Sequence, residues 1–164
     1  MRTRLLNLLA AIVYLLAARA LPADEQHKPV TAKQSHALRD HRSMTTEAKL
    51  YRDGLLVVET ETESTHLTRG LRGRVFLVMV NDQGEAIAIT EQFGCTTRGS
   101  TTDITTPHRG KDLFKTKIPD AVAKQTASID IYQGEEVDLD KTWNNFRVAA
   151  DAVGKLVVIA IKVL

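Results

Sequence analysis

Residues 55–66 read LLVVETETESTH. The first four are apolar on both sides of an extended chain. The next six alternate glutamate with threonine or serine, so that beyond Val58 one face carries carboxylates and the other hydroxyls. The fold turns on where those two polar faces go. If residues 55–64 and 69–78 form a hairpin around Thr65-His66-Leu67-Thr68, Glu59 lies across from Arg74 and Glu61 across from Arg72. A second turn at Asn81-Asp82-Gln83-Gly84 then returns Glu91 to the other side of Arg74. The expectation is a three-strand meander with a Glu59, Arg74, Glu91 ladder, each cross-strand pair contributing a few tenths to ~1 kcal/mol. Glutamates balanced in this way are framework and need no cation. A Ca²⁺ site would require roughly six or more oxygen ligands, and the spacing points to none.

The same register places Leu55, Val57, Phe76, Val78, Ile87 and Ile89 on one face. Leu56, Val58, Val75, Leu77, Met79, Ala86 and Ala88 fall on the other. Both faces are apolar and both need cover. A second sheet can supply one cover. The other can come from a helix over residues 141–153, in which Trp143, Phe146, Ala150 and Val153 recur at helical spacing, with Asp140 to cap its start and Gly154 to close it. An uncovered apolar face would be an interface.

Outward from this centre, strand-like runs fall at 72–80, 85–93, 126–132 and 155–163, with weaker ones at 48–52, 101–105 and 112–117. The fold class expected is all-β, an antiparallel β-sandwich of about seven strands with one late α-helix. The alternative is an α+β layer in which that helix covers one antiparallel sheet. Residues 48–164 form a single domain in this reading. Residues 21–47 hold Pro22 and Pro29, many charges and no sustained apolar period, and are expected to be a disordered polar linker.

The chain opens Met1-Arg2-Thr3-Arg4, runs apolar from Leu5 to Ala18 with Asn7 as the only interruption, and continues Ala18-Arg19-Ala20-Leu21-Pro22. A basic head, a short apolar stretch and small residues before a cut are the parts of a secretory signal peptide, expected to be cleaved after Ala20. The run is short for a bilayer span of ~20 residues, and no later segment is long enough. The leader carries three arginines and no acid. Its removal turns 22 basic and 20 acidic residues, a formal +2, into a near-neutral chain with a slight acidic excess. Interspersed charges of that balance give no electrostatic case for nucleic acid.

Residues that could carry chemistry are few. Cys95 is the only cysteine, so it is buried, paired with another chain, or reactive. In FGCTTRG, 93–99, the Gly94-Cys95 pair followed by Arg98 resembles the nucleophile segment of bacterial L,D-transpeptidases. The segment lacks the serine two residues before the glycine, has one residue too many before the arginine, and has no His-Gly segment upstream. A thiol nucleophile also needs a base, and only His66 and His108 lie in the domain. His27, His36 and His41 fall in the expected linker, at spacings that fit no compact metal site. Ser100, Asp103 and His108 supply the residue types of a hydrolytic triad without a nucleophile turn. Glu135, Glu136, Asp138 and Asp140 precede the expected helix, where negative charge suits the exposed N–H groups. Trp143 lies on that helix's apolar face, which favours core packing over a sugar platform.

No catalytic, cofactor-binding or metal-ligating residue is therefore assigned, and no cofactor. The function expected is that of an exported, non-enzymatic binding or structural module of the periplasm or cell surface. Its partner would be a protein or a cell-envelope polymer, with homo-oligomers forming through an apolar sheet face or a strand edge. The alternative is a cell-envelope or secreted hydrolase or transferase using Cys95 or His108.

Overall fold

The computed structural model describes residues 28–39, 41–65, 70–98, 107–153 and 157–159. They form two sheets. The first has the order β1-β2-β3-β7, from β1 (Val30–Leu38), β2 (Arg42–Leu50), β3 (Leu55–Ser64) and β7 (His108–Lys117), all antiparallel. The second is built on β4 (Leu71–Val80). Along one edge of β4 lie two consecutive short strands, β5 (Ala86–Thr90) and β6 (Phe93–Thr97), and along the other lies β8 (Ser128–Glu135). β9 (Val157–Ile159) adds to β5 in parallel. A short helix α1 (Asp120–Gln125) joins β7 to β8, and β8 leads straight into α2 (Glu136–Val153). The fold is a β-sandwich with one long late helix.

The hairpin expected from residues 55–78 does not form. β3 pairs with β2 and β7, while β4 belongs to the other sheet. The expectation failed because the apolar start of β3, Leu55 to Val58, suits the apolar run Val75 to Val80 of β4. The true neighbour β2 was hidden inside the expected linker. That linker is corrected too, since β1 and most of β2 lie in it and β2 buries Met44, Thr46, Ala48 and Leu50. In β1 the polar Gln34 and His36, opposite the buried Thr46 and Met44 but themselves exposed, break the apolar alternation that marks a strand.

In β3 the even-numbered residues Leu56, Val58, Thr60, Thr62 and Ser64 are buried, and the glutamates face outward. The hydroxyl face therefore completes the interior. Thr60 and Thr46 lie opposite each other, neither exposed, and their hydroxyls hydrogen-bond at 3.0 Å. Thr62 Oγ1 lies 3.5 Å from the Gly110 carbonyl oxygen of β7. Threonine suits these sites because its methyl packs, its branching favours the strand, and its hydroxyl is satisfied by a neighbour.

Between the sheets, Val75, Leu77 and Met79 of β4 meet Leu56 and Val58 of β3 and Phe114 of β7. The other face of β4 carries Phe76 and Val78 and is covered by α2 through Leu139, Trp143 and Phe146. Phe76 stacks on Tyr132, with ring centroids 4.8 Å apart, and meets Phe146 edge-on. The two-sided apolar character read from this strand is thus real, and the helix is its second cover. α2 begins at Glu136, so Asp140 lies within it and does not cap its start. Ala86 packs under the helix, whereas Ala88 faces the other sheet.

The break between β5 and β6 is where separate elements are stitched. The buried Thr90 hydroxyl accepts from the Leu77 N–H at 2.9 Å, its carbonyl accepts from Trp143 Nε1 at 3.1 Å, and Glu91 N–H donates to Ile159 O at 2.8 Å. The β4–β5 turn forms at Asn81–Gly84 as expected, with Gly84 at φ 79, a conformation that favours glycine. Its register differs, since Val78 faces Ile89 and Arg74 faces Gly94 and Gly134. In this register Arg74 does not lie opposite Glu91.

Candidate functional site

The outer face of β3 is settled by β7. Lys111 Nζ lies 2.8 Å from Glu59 Oε1 and 3.8 Å from Glu61 Oε1, and Arg109 Nε donates to Glu63 Oε2 at 3.2 Å. On β2, Lys49 lies 2.7 Å from Glu47. The Lys111 ammonium is held above its ordinary pKa mainly by its hydrogen bond to Glu59, and the Glu47 carboxyl is lowered mainly by Lys49. The β3 glutamates have cationic neighbours on β7, at Lys111 and Arg109. The pairs are solvent-exposed and screened.

Cys95 faces the interior, 1 % exposed. Burial, reinforced by the Asp112 carboxylate and only partly opposed by Arg74, pushes its thiol up to about 12. At neutral pH it is a protonated, enclosed thiol, the opposite of an activated nucleophile. His108 stands exposed at the start of β7, opposite Ser64. Ser100, Asp103, His27 and His66 lie outside the described residues. Among the described residues no group of three or more His, Cys, Asp or Glu side chains is placed to hold a metal ion, and no helix is long and apolar enough to cross a membrane.

A polar recess lies elsewhere. Among the described residues β1 is an edge strand of its sheet and β8 pairs only with β4, so the two lie side by side where the sheets meet without joining in a ladder. Where this seam ends, residues 36–39, residues 133–135 and the first turns of α2, at Leu139 and Thr142, enclose a cleft of about 380 Å³. Arg42 braces one side. Its Nη2 donates to Glu135 Oε1 at 2.9 Å and its Nε to Arg39 O at 2.9 Å, so that β2, the β1–β2 turn and the end of β8 are tied together. Glu135, read from the sequence as part of an acidic helix start, is the end of a strand and half of this ion pair.

Gln133 forms the floor. It is 8 % exposed and reaches across the sandwich, its Nε2 donating to Gln34 O at 3.1 Å and Met44 O at 3.2 Å. Those two bonds fix which end of the amide is oxygen, and that oxygen, Oε1, is buried with no hydrogen-bond partner. A buried acceptor left unmatched costs roughly 1–3 kcal/mol. His36 and Arg39 are exposed at the mouth, and Leu38 and Leu139 supply apolar wall.

None of the residues that make this cleft was singled out as a site from the sequence, and His36 was set aside with the linker. One signal was present. Ile129 and Ile131 of β8 alternate inward, and Gln133 continues that face with an amide where an apolar residue is the rule. Comparison of the chain with protein-family models, with curated proteins and with solved structures finds no match in any of the three.

Proposed function

We propose that this chain is an exported, non-enzymatic binding module of the periplasm or cell surface, and that the β1–β8–α2 cleft is its recognition site. The observation that carries the binding assignment is the recess itself, lined by Gln133, Glu135, Leu139 and Thr142 and tied at one side by the Arg42–Glu135 pair. A preformed recess with a few fixed polar groups and some apolar wall is the usual form of a recognition site. The enclosed thiol of Cys95 weighs against the hydrolase or transferase alternative. The basic head, apolar run and Ala18-Arg19-Ala20 of the first residues support export.

Two measurements test this reading. Mass spectrometry of the chain expressed in a bacterial host is expected to find a mature start at Leu21, and retention of Met1 in the cytoplasmic fraction would contradict export. In amide NMR spectra, cell-envelope fragments are expected to shift Gly134, Leu139 and Thr142. Shifts confined to the β2–β3–β7 outer face would place recognition elsewhere.

A further inference from the structure

We infer that the outer face of the second sheet, at the end beyond α2, is a docking strip for a phosphate-bearing polymer, a surface separate from the cleft. On β4 the even-numbered residues face away from the other sheet. α2 covers Phe76 and Val78 of that series, and the half-buried Arg74 and the exposed Arg72 continue it. On β6, Phe93 and Cys95 point into the sandwich, so the exposed Gly94 and Thr96 share the outer face with these arginines. The register sets Arg72 across from Thr96 and Arg74 across from Gly94, and Arg98 follows two positions beyond Thr96. With no side chain at Gly94, the Arg74 guanidinium lies across β6, its Nη1 3.7 Å from the place of a Cβ there.

Arg74 has contacts of its own within the chain, so the open forks are those of Arg72 and Arg98, both exposed and neither in an ion pair among the described residues. As diagonal neighbours on adjacent strands they stand roughly 7–8 Å apart at the main chain. Carboxylates approach from other sides. Asp112 reaches β6 from the inward series of β7, opposite Thr60, and accepts from the Thr96 N–H at 3.3 Å. Glu136 and Asp138 enter on the far side of β4, where β8 runs into α2.

The partner follows from charge and shape. Guanidinium is the cation suited to phosphate, which it holds through a planar fork of donors. Phosphate oxygens lie in more than one plane and can be shared between forks on adjacent strands, whereas the two oxygens of a carboxylate lie in one plane and fill one fork. Open forks hold a lone ion weakly, because water and salt screen it. Successive phosphates on one chain engage Arg72 and Arg98 together in the field of Arg74, each contact raising the effective concentration of the next. The small net charge of the whole chain argues against a long nucleic acid, which needs an extended basic face.

The test is amide NMR titration of the folded chain with linear polyphosphate, with polyglutamate of matched charge, and with a single-stranded DNA oligonucleotide. Polyphosphate is expected to shift Gly94 and Thr96 most. Its affinity should fall about tenfold as salt rises from about 50 to about 200 mM, the dependence of about two to three phosphate contacts on a flexible chain. Arg98→Glu should weaken it about tenfold, and Arg72→Lys, which keeps the charge and removes the fork, about threefold. Lys115→Glu, an exposed change on the other sheet, should leave it unchanged. Equal loss from Lys115→Glu would reduce the attraction to bulk charge and overturn the strip. Full binding by Arg72→Lys would overturn recognition through the fork. Polyglutamate binding as tightly as polyphosphate would overturn the phosphate assignment, and tighter binding of DNA would overturn the polymer class. No shift with any probe would sink the inference and leave the cleft reading untouched.

Discussion

Replacing Thr60 by valine is the perturbation that most sharply separates the two polar faces of β3. Thr60 and Thr46 are both fully buried and are hydroxyl partners at 3.0 Å. Thr60→Val keeps the shape but leaves the Thr46 hydroxyl buried without its partner, a loss of about 1–3 kcal/mol, offset by up to ~0.8 kcal/mol from the added methyl. The single variant should therefore lose about 1–2 kcal/mol, and Thr46→Val should lose the same by symmetry. In the double variant no hydroxyl is stranded. A bond with a net worth of about 0.5–1.5 kcal/mol is exchanged for two buried methyl groups, and the result should lie within ~1 kcal/mol of the parent. The coupling is then about 2 kcal/mol and of the sign that makes the double variant more stable than the sum of the singles. Urea unfolding reads this directly, since at a slope of ~2 kcal/mol per molar each single variant moves the midpoint by ~0.5–1 M. Glu59→Gln, on the outer face, should move it far less. Additive losses in the double variant, or a larger loss for Glu59→Gln than for Thr60→Val, would refute the assignment of hydroxyls inward and carboxylates outward.

Other consequences follow from single contacts. The Cys95 thiol, raised to about 12 from an ordinary 9.0, keeps its proton in the folded chain where the unfolded chain loses it. Its contribution to stability is full below about pH 9 and is lost as pH rises toward 12, with a slope of at most ~1.4 kcal/mol per pH unit. A thiol reagent at pH 8 should label Cys95 only in denaturant, and fast labelling of the folded chain would show that the side chain is reachable. In Gly110→Ala the new Cβ would stand 2.7 Å from the Thr96 carbonyl oxygen and 2.7 Å from Thr62 Oγ1. Since main chain cannot swing aside, thermal melts should show a loss of about 1–3 kcal/mol, and an unchanged melt would mean that β6 and β7 stand further apart. Deleting residues 28–41 removes β1 and two of the carbonyl partners that hold this end of the sandwich, Gln34 O and Arg39 O. Circular dichroism should show a much lower melting temperature, and a melt equal to that of the intact chain would make this segment the linker its composition suggests.

The class of fold was legible because the apolar runs of β3 and β4, the alternation of Ile129 and Ile131 in β8 and the helical spacing of Trp143 and Phe146 do not depend on knowing their neighbours. Pairing was not. The apolar run that opens β3 and the one that closes β4 fit each other as well as they fit their true partners, and the chain's choice depends on β2, whose inward Met44, Thr46 and Ala48 alternate with polar residues in a sequence that looks like linker. Thr60 and Thr46 look hydrophilic in sequence and become interior only because each satisfies the other. The cleft was illegible for a related reason. Arg42 and Glu135 are 93 positions apart and Gln133 and Met44 are 89 apart, and neither the composition nor the local spacing of either segment marks them. What the sequence did carry was the break in alternation at Gln133, and the structure gives that break a meaning: an amide whose nitrogen is used and whose oxygen is not.

The arrangement of the interior and the position of the cleft both require β3 to lie between β2 and β7. Cross-strand proton contacts measured by NMR on the folded chain test this most directly. The account predicts contacts from Thr60 to Thr46 on one side and to Asp112 on the other, as the register demands. Contacts from Glu59 to Arg74, with none to β2, would restore the local hairpin and contradict it.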